Sequence, residues 1–166
     1  MGIVPVIAAF VVGSAIGILA GYAGGWTSTL IMRVVDVFYA FPSVLLAIAL
    51  SGTLGAGIFN AIVSLTVVFI PQVVRVAESV TAQVRRSDYV DAARASGASP
   101  FTIVRAHVLS NVLGPIFVYA TSLISVSMIL ASGLSFLGLG VRPPEPEWGL
   151  MLNTLRTAIY TLSLIH

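Results

Sequence analysis

Residues 2–20 of this chain, GIVPVIAAFVVGSAIGILA, carry no ionisable side chain, and four further runs with at most one charge each follow over 34–50, 58–74, 111–139 and from Met151 onward. A helix rises ~1.5 Å per residue and the hydrocarbon of a bilayer is ~30 Å thick, so about 20 apolar residues carry a chain across. Each run is therefore expected to be a membrane-crossing helix. The fold class that follows is an all-α integral membrane bundle with about five crossings. Composition agrees: 58% of residues are hydrophobic and only 8% charged, against ~25% charged in an ordinary soluble domain. So little charge cannot cover a water-exposed surface.

The length leaves room for one domain, so residues 1–166 are expected to form a single transmembrane domain. The start, MGIVPVIAAF, lacks the charged region of a signal peptide and reads as the middle of a helix. The closing YTLSLIH ends in mid-span, and the domain is expected to be incomplete at both ends. With no cysteine, disulfides and thiolate metal sites are excluded. The net charge of +2 is an excess of arginine on connecting loops rather than a nucleic-acid surface, because no basic run interleaved with aromatics occurs.

Between the runs, GYAGGWTSTLIMR (21–33) is a Gly-rich connector, SGTLGAG (51–57) turns the chain, and VRPPEPEWG (141–149) is a loop in which no helix continues through Pro143, Pro144 and Pro146. If 75–110 is cytoplasmic, alternation puts 21–33 on the same side. That side then holds six of the eight arginines (Arg33, Arg75, Arg85, Arg86, Arg94 and Arg105), leaving Arg142 and Arg156 opposite. This satisfies the positive-inside rule.

The charge itself is gathered in one place. Eight charged side chains lie between Arg75 and Arg105. In RVAESVTAQVRR (75–86), Val76, Val80 and Val84 form an apolar stripe, so the third crossing continues outward as an amphipathic helix. Ser87 is placed to cap a second, short helix over about 88–96, with Asp88 in its first turn and Gly97 as its stop. Ser99-Pro100 reads as a new helix start, with Phe101, Val104 and Val108 as its inward face; Gly114-Pro115 is expected to bend the entry into the fourth crossing. Isolated helices shorter than ~12–15 residues are marginal, so the short helix must be packed against something. Two readings stay open on spacing alone. It packs on its own neighbours, or its alanine face receives a partner's backbone.

DAARASG (91–97) followed by HVLSN (107–111) resembles the EAA loop of the permeases of binding-protein-dependent ABC importers, whose pattern is E-A-A-x3-G-x9-I-x-L-P. Asp91, Ala92, Ala93 and Gly97 fall on E-A-A and G, and Leu109 falls on L. Asp91 replaces Glu, His107 replaces Ile, and Ser110 replaces Pro, which removes a kink. AGYAGGW (20–26), MRVVDVFYAFPSVLLAIAL (32–50) and LSFLGLGVRPPEPEWGLML (134–152) narrow the resemblance to the second permease subunit of the dipeptide/oligopeptide/nickel importer group, over about 1–156. The resemblance implies a permease helix bundle that forms the pathway for peptides or a related small solute. It also implies a coupling helix, carried by the loop 75–110, that seats in a cytoplasmic ATPase subunit. Tyr89, Asp91, Ala92, Ala93, Arg94, Gly97 and Ala98 are the coupling residues it implies. The implied partners are two such ATPases, a second permease subunit, a periplasmic or lipid-anchored substrate-binding protein and the bilayer, with no nucleic acid. No cofactor is expected on this chain, ATP and Mg being held by the ATPases. The implied location is the bacterial inner membrane.

Other residues read both ways. Asp36 forms an i, i+3 pair with Arg33 or serves as an intramembrane functional carboxylate. Pro42 should bend its helix and act as a hinge. Gly13, Gly17 and Gly21 make a small-residue face suited to close helix packing. His107 has no second ligand near it, so no metal site is expected and a solvated face is favoured. Trp148 is an interface anchor or a docking point for the binding protein. Ser122, Ser125, Ser127, Ser132 and Ser135 either line a polar path or bond their own helix. No nucleotide-binding loop, carboxylate pair or nucleophile–base set occurs, so no enzymatic activity is expected of the chain. Two rivals to the importer reading are an ion-coupled secondary transporter using Asp36, and a non-transporting membrane scaffold that recruits a soluble partner through 75–110.

The topology has a direct test. Cysteines placed at Ser28, Ser99 and Glu145 in this cysteine-free chain should differ in intact cells: a membrane-impermeant thiol reagent should label only the Glu145 position from outside.

Overall fold

The computed structural model describes residues 2–141 and 145–162. All regular structure among them is helical. Helix α1 (Ile3–Ala23) ends at Gly24, whose φ of +64° favours glycine. Helix α2 (Gly25–Tyr39) starts at once, so the connector expected over 21–33 shrinks to a Gly24-Gly25 joint. The apolar positions at helical spacing from Trp26 onward outweigh the local glycine content.

The crossing expected over 34–50 is not one straight helix. α2 stops at Tyr39, and helix α3 (Ser43–Leu54) leaves at 83° to it. Pro42 causes the break. Its ring fixes φ near −57° and disfavours helical geometry at Phe41 before it. The bend at Pro42 is thus a full interruption rather than a kink inside a continuous helix.

Helix α4 (Ile58–Val84) joins the third run to the amphipathic continuation, as the stripe of valines implies. After it come α5 (Asp88–Ala95), α6 (Pro100–Ile103), a π-helical turn (Val104–Val108) and α7 (Leu109–Phe136). α6, the π turn and α7 run as one helix from Pro100 to Phe136, with Gly114-Pro115, where a bent entry is expected, inside it. The irregularity lies earlier. The buried residues step through Ile103, Val108, Val112, Ile116 and Ala120, and the single five-residue step spans the π turn. The wider turn takes up one residue and keeps the stripe on one side. The expected inward residue Phe101 is 75% exposed, and Ile103 takes its place.

Helix α8 (Trp148–Leu162) starts where Glu147 accepts hydrogen bonds from the Gly149 and Leu150 N–H groups, at 2.9 and 3.1 Å. Glu147 is thus a helix cap. Pro143-Pro144 and the residues near His166 lie outside the described residues. By length and apolarity α1, α4 and Pro100–Phe136 can cross a membrane, and the bent pair α2–α3 makes a fourth.

The core forms where α1, α4 and α7 meet, with Phe69, Leu65, Val73, Val112 and Ile116 fully enclosed. α1 and α4 make the most intimate pairing. A Cβ at Gly17 would lie 2.5 Å from the Ala77 Cβ and 2.6 Å from the Val74 carbonyl oxygen, and one at Gly21 would lie 2.6 Å from the Glu78 carbonyl oxygen. The small-residue face is intrachain packing. The five serines do not share a face: Ser127 and Ser135 are buried, whereas Ser122 and Ser125 are exposed. The Ser122 hydroxyl donates to the Tyr119 carbonyl at 2.6 Å, so they form no continuous polar path.

Gly17→Leu should force α1 off α4 and cost roughly 1–3 kcal/mol or more. Gly52→Ala, inside α3 with open space around it, should be neutral or stabilise by up to about 1 kcal/mol. Thermal unfolding of the two purified variants in detergent checks the contrast.

Candidate functional site

The charged segment folds as two helix ends facing a short third helix. Ser87 occupies the N-cap position of α5 with extended backbone, but its hydroxyl turns back and donates to the Val84 carbonyl at 2.6 Å. It closes the end of α4 instead of capping α5 through its side chain. Asp88 and Asp91 stand in the first turn of α5 and Arg94 in the last, each on the favourable side of the helix dipole. Asp91 and Arg94 also pair at 2.9 Å.

The other end of α5 is fixed by backbone. The Gly97 N–H donates to the Arg94 carbonyl at 3.0 Å and the Ala98 N–H to the Ala93 carbonyl at 3.1 Å, with Gly97 at φ +83°. This is a Schellman stop, and it needs glycine because a Cβ disfavours that φ. Ser99 then caps α6 by accepting from the Thr102 N–H at 3.2 Å, with Pro100 in the first turn, as expected.

The implied site residues divide between two faces of α5. Val90 is fully buried, and Ala93 and Ala98 pack partly against the core beside it. Tyr89, Asp91, Ala92, Arg94 and Gly97 are exposed, and among the described residues nothing lies within 4 Å of a Cβ built on Gly97. One face therefore anchors the helix, and the other, of small and polar side chains, is open. Val90 went unnoticed in the sequence, although an isolated valine in a polar helix is the signal of an anchor. His107, expected on a solvated face, is half-buried with its ring 6.4 Å from that of Tyr89. Beside α5, Arg85, Arg86, Asp91 and Arg94 line a cleft of about 310 Å³.

Pro42 is remote from this segment, in the α2–α3 break. Asp36 is held chiefly by Arg75 of α4, whose guanidinium hydrogen-bonds its carboxylate, while Arg33 stands at 3.9 Å. Local spacing found only the weaker partner. A carboxylate so engaged is ill suited to take up and release a coupling ion.

Residues 13–166 match the family described as binding-protein-dependent transport system inner membrane component, and the chain belongs to it. Its relatives include the glutathione transport system permease protein GsiD of Pectobacterium atrosepticum, 41% identical over 156 residues that make up 94% of this chain and 52% of that protein. GsiD of Escherichia coli O6:K15:H31 is 44% identical over 81% of this chain and 45% of its own length. GsiD of Shigella flexneri serotype 5b is 45% identical over 80% and 44%. The chain spans about half the length of these relatives.

Because Val90 is the one fully buried side chain of α5, Val90→Ala should loosen the helix by roughly 1–3 kcal/mol. Amide hydrogen exchange across 88–98, read by mass spectrometry, should accelerate there and stay unchanged in α1.

Proposed function

We propose that this chain works as a permease subunit of an ATP-driven importer, with α5 as the helix through which a cytoplasmic ATPase drives it. The observation that carries the reading is α5 itself. An eight-residue helix, stopped by Gly97 and anchored by Val90, holds an open face of Tyr89, Ala92, Arg94 and Gly97 outside the bundle. A rigid projection with small side chains lets a partner's backbone approach closely, and a push on it is delivered to the core through Val90. Asp91 and Arg94 shape its polar rim, while Ala93 and Ala98 sit at its base.

In this reading segment 75–110 is cytoplasmic, two ATPases bind two permeases, and a binding protein supplies solute at the opposite mouth. The 166 residues act as one transmembrane domain within a longer permease. The solute we infer is a peptide, since the relatives named above are glutathione permeases. Pro42 serves as a hinge between α2 and α3. Asp36, engaged by Arg75, gives no support to the ion-coupled alternative.

Gly97→Val should leave membrane insertion intact, because no span changes. It should weaken ATPase association and abolish peptide uptake, since valine resists φ +83° and would project from the open face. Arg94→Ala should do far less, its exposed pair with Asp91 being worth ~0–1 kcal/mol. ATPase co-purification and uptake at matched expression provide the measurement. Normal association and uptake in Gly97→Val would reduce this segment to ordinary packing.

A further inference from the structure

α2 differs from the other long helices in how it is held. It lies between two joints: Gly24 and Gly25, at φ +64° and +54°, and the break from Ala40 to Pro42. Of its 15 residues only Val35 is buried. Its apolar positions Trp26, Leu30, Val34 and Val37 are exposed, and Ile31 and Met32 are half-buried.

Polar links tie it to α4. The Ser28 hydroxyl donates to Glu78 Oε1 at 3.1 Å, Arg75 pairs with Asp36, and the same guanidinium lies 4.5 Å above the centre of the Tyr39 ring. Ser28 and Asp36 are about 12 Å apart along α2, yet Glu78 and Arg75 are only about 4.5 Å apart along α4. Both links therefore fall within one turn of α4. Beside them is an open cleft of about 810 Å³, its lining including Gly21 of α1, Ser28, Arg33, Asp36, Glu78 and Arg85.

We propose that the Asp36–Arg75 pair, with Tyr39 stacked on the guanidinium, is a latch. It fixes α2 against α4 and thereby sets the direction in which α3 leaves the Pro42 break. When the pair opens, α2 swings about its two joints beside the cleft while α1 and α4 stay together on their glycine seam. Asp36, Arg75 and Tyr39 are positioning residues for α3. The inference rests on the α2–α4 contacts and is independent of what docks on α5.

The test is a distance measurement on the full chain in lipid bilayers, made straightforward by the absence of native cysteine. Spin labels at Leu30→Cys and Ser79→Cys, both exposed positions, report α2 against α4; labels at Leu19→Cys and Ser79→Cys report α1 against α4. With Asp36 and Arg75 intact, both pairs should give a narrow distribution. Asp36→Asn and Arg75→Gln should each broaden the α2–α4 distribution and shift it to longer distance, leaving α1–α4 narrow. Arg75→Lys, which keeps a cation beside Asp36 and the Tyr39 ring, should retain a narrower α2–α4 distance than Arg75→Gln. An unchanged α2–α4 distance in Asp36→Asn and Arg75→Gln, or a Lys variant no narrower than the Gln variant, overturns the latch. Loss of the α1–α4 distance along with α2–α4 also overturns it, since the pair would then be needed for the whole fold.

Discussion

The close contact of α1 with α4 is the constraint on which the remaining structure depends. Lipid is as apolar as a leucine side chain, so two helices in a bilayer gain little by hiding hydrophobic surface from it. What holds them is contact area, and area requires backbones to approach. Gly13, Gly17 and Gly21 let α1 settle against the carbonyl groups of Ile70, Val74 and Glu78. α7 then closes over the pair, with Val112 and Ile116 completely enclosed. α4 thus has a fixed course from the core to Val84, and that course places Arg75 and Glu78 where α2 can meet them.

The bundle uses two kinds of fastening. Its centre is joined by packed side chains that leave almost no freedom. Its polar end is joined by hydrogen bonds and ion pairs around open space: Ser28 with Glu78, Asp36 with Arg75, Asp91 with Arg94. Such links are directional and can be remade in another arrangement, whereas a close-packed core resists continuous deformation. A protein that must change shape at one end without losing its fold is served by this division.

Much of the architecture was legible in the sequence because crossings are set by length and apolarity, and α1 and α4 were read nearly to their ends. The stops of the charged segment were legible too. Gly97 and Ser99-Pro100 act through local backbone chemistry that does not depend on neighbours. What escaped was set by contacts distant in sequence. Arg75 as the partner of Asp36 lies on another helix, and Ser87 turns back to α4 rather than forward. The π turn at 104–108 is a matter of phase between two packed faces. Its sequence trace is one five-residue gap in a stripe of fours, and Phe101 concealed it by offering an exposed apolar side chain two positions before Ile103. In the charged segment, spacing alone left open whether the alanine face of α5 is covered, and Val90, a lone valine in a polar helix, was the overlooked trace of its anchor.

The unbroken helix from Pro100 to Phe136 has a mechanical consequence. Its 37 residues extend about 55 Å, while the hydrocarbon is only ~30 Å deep. Set along the membrane normal, such a helix would leave roughly 25 Å clear of the apolar layer, and α5 joins it at one tip, next to Ser99. Tilting it by about 5° moves one tip relative to the other by about 5 Å over that length, close to one helical turn.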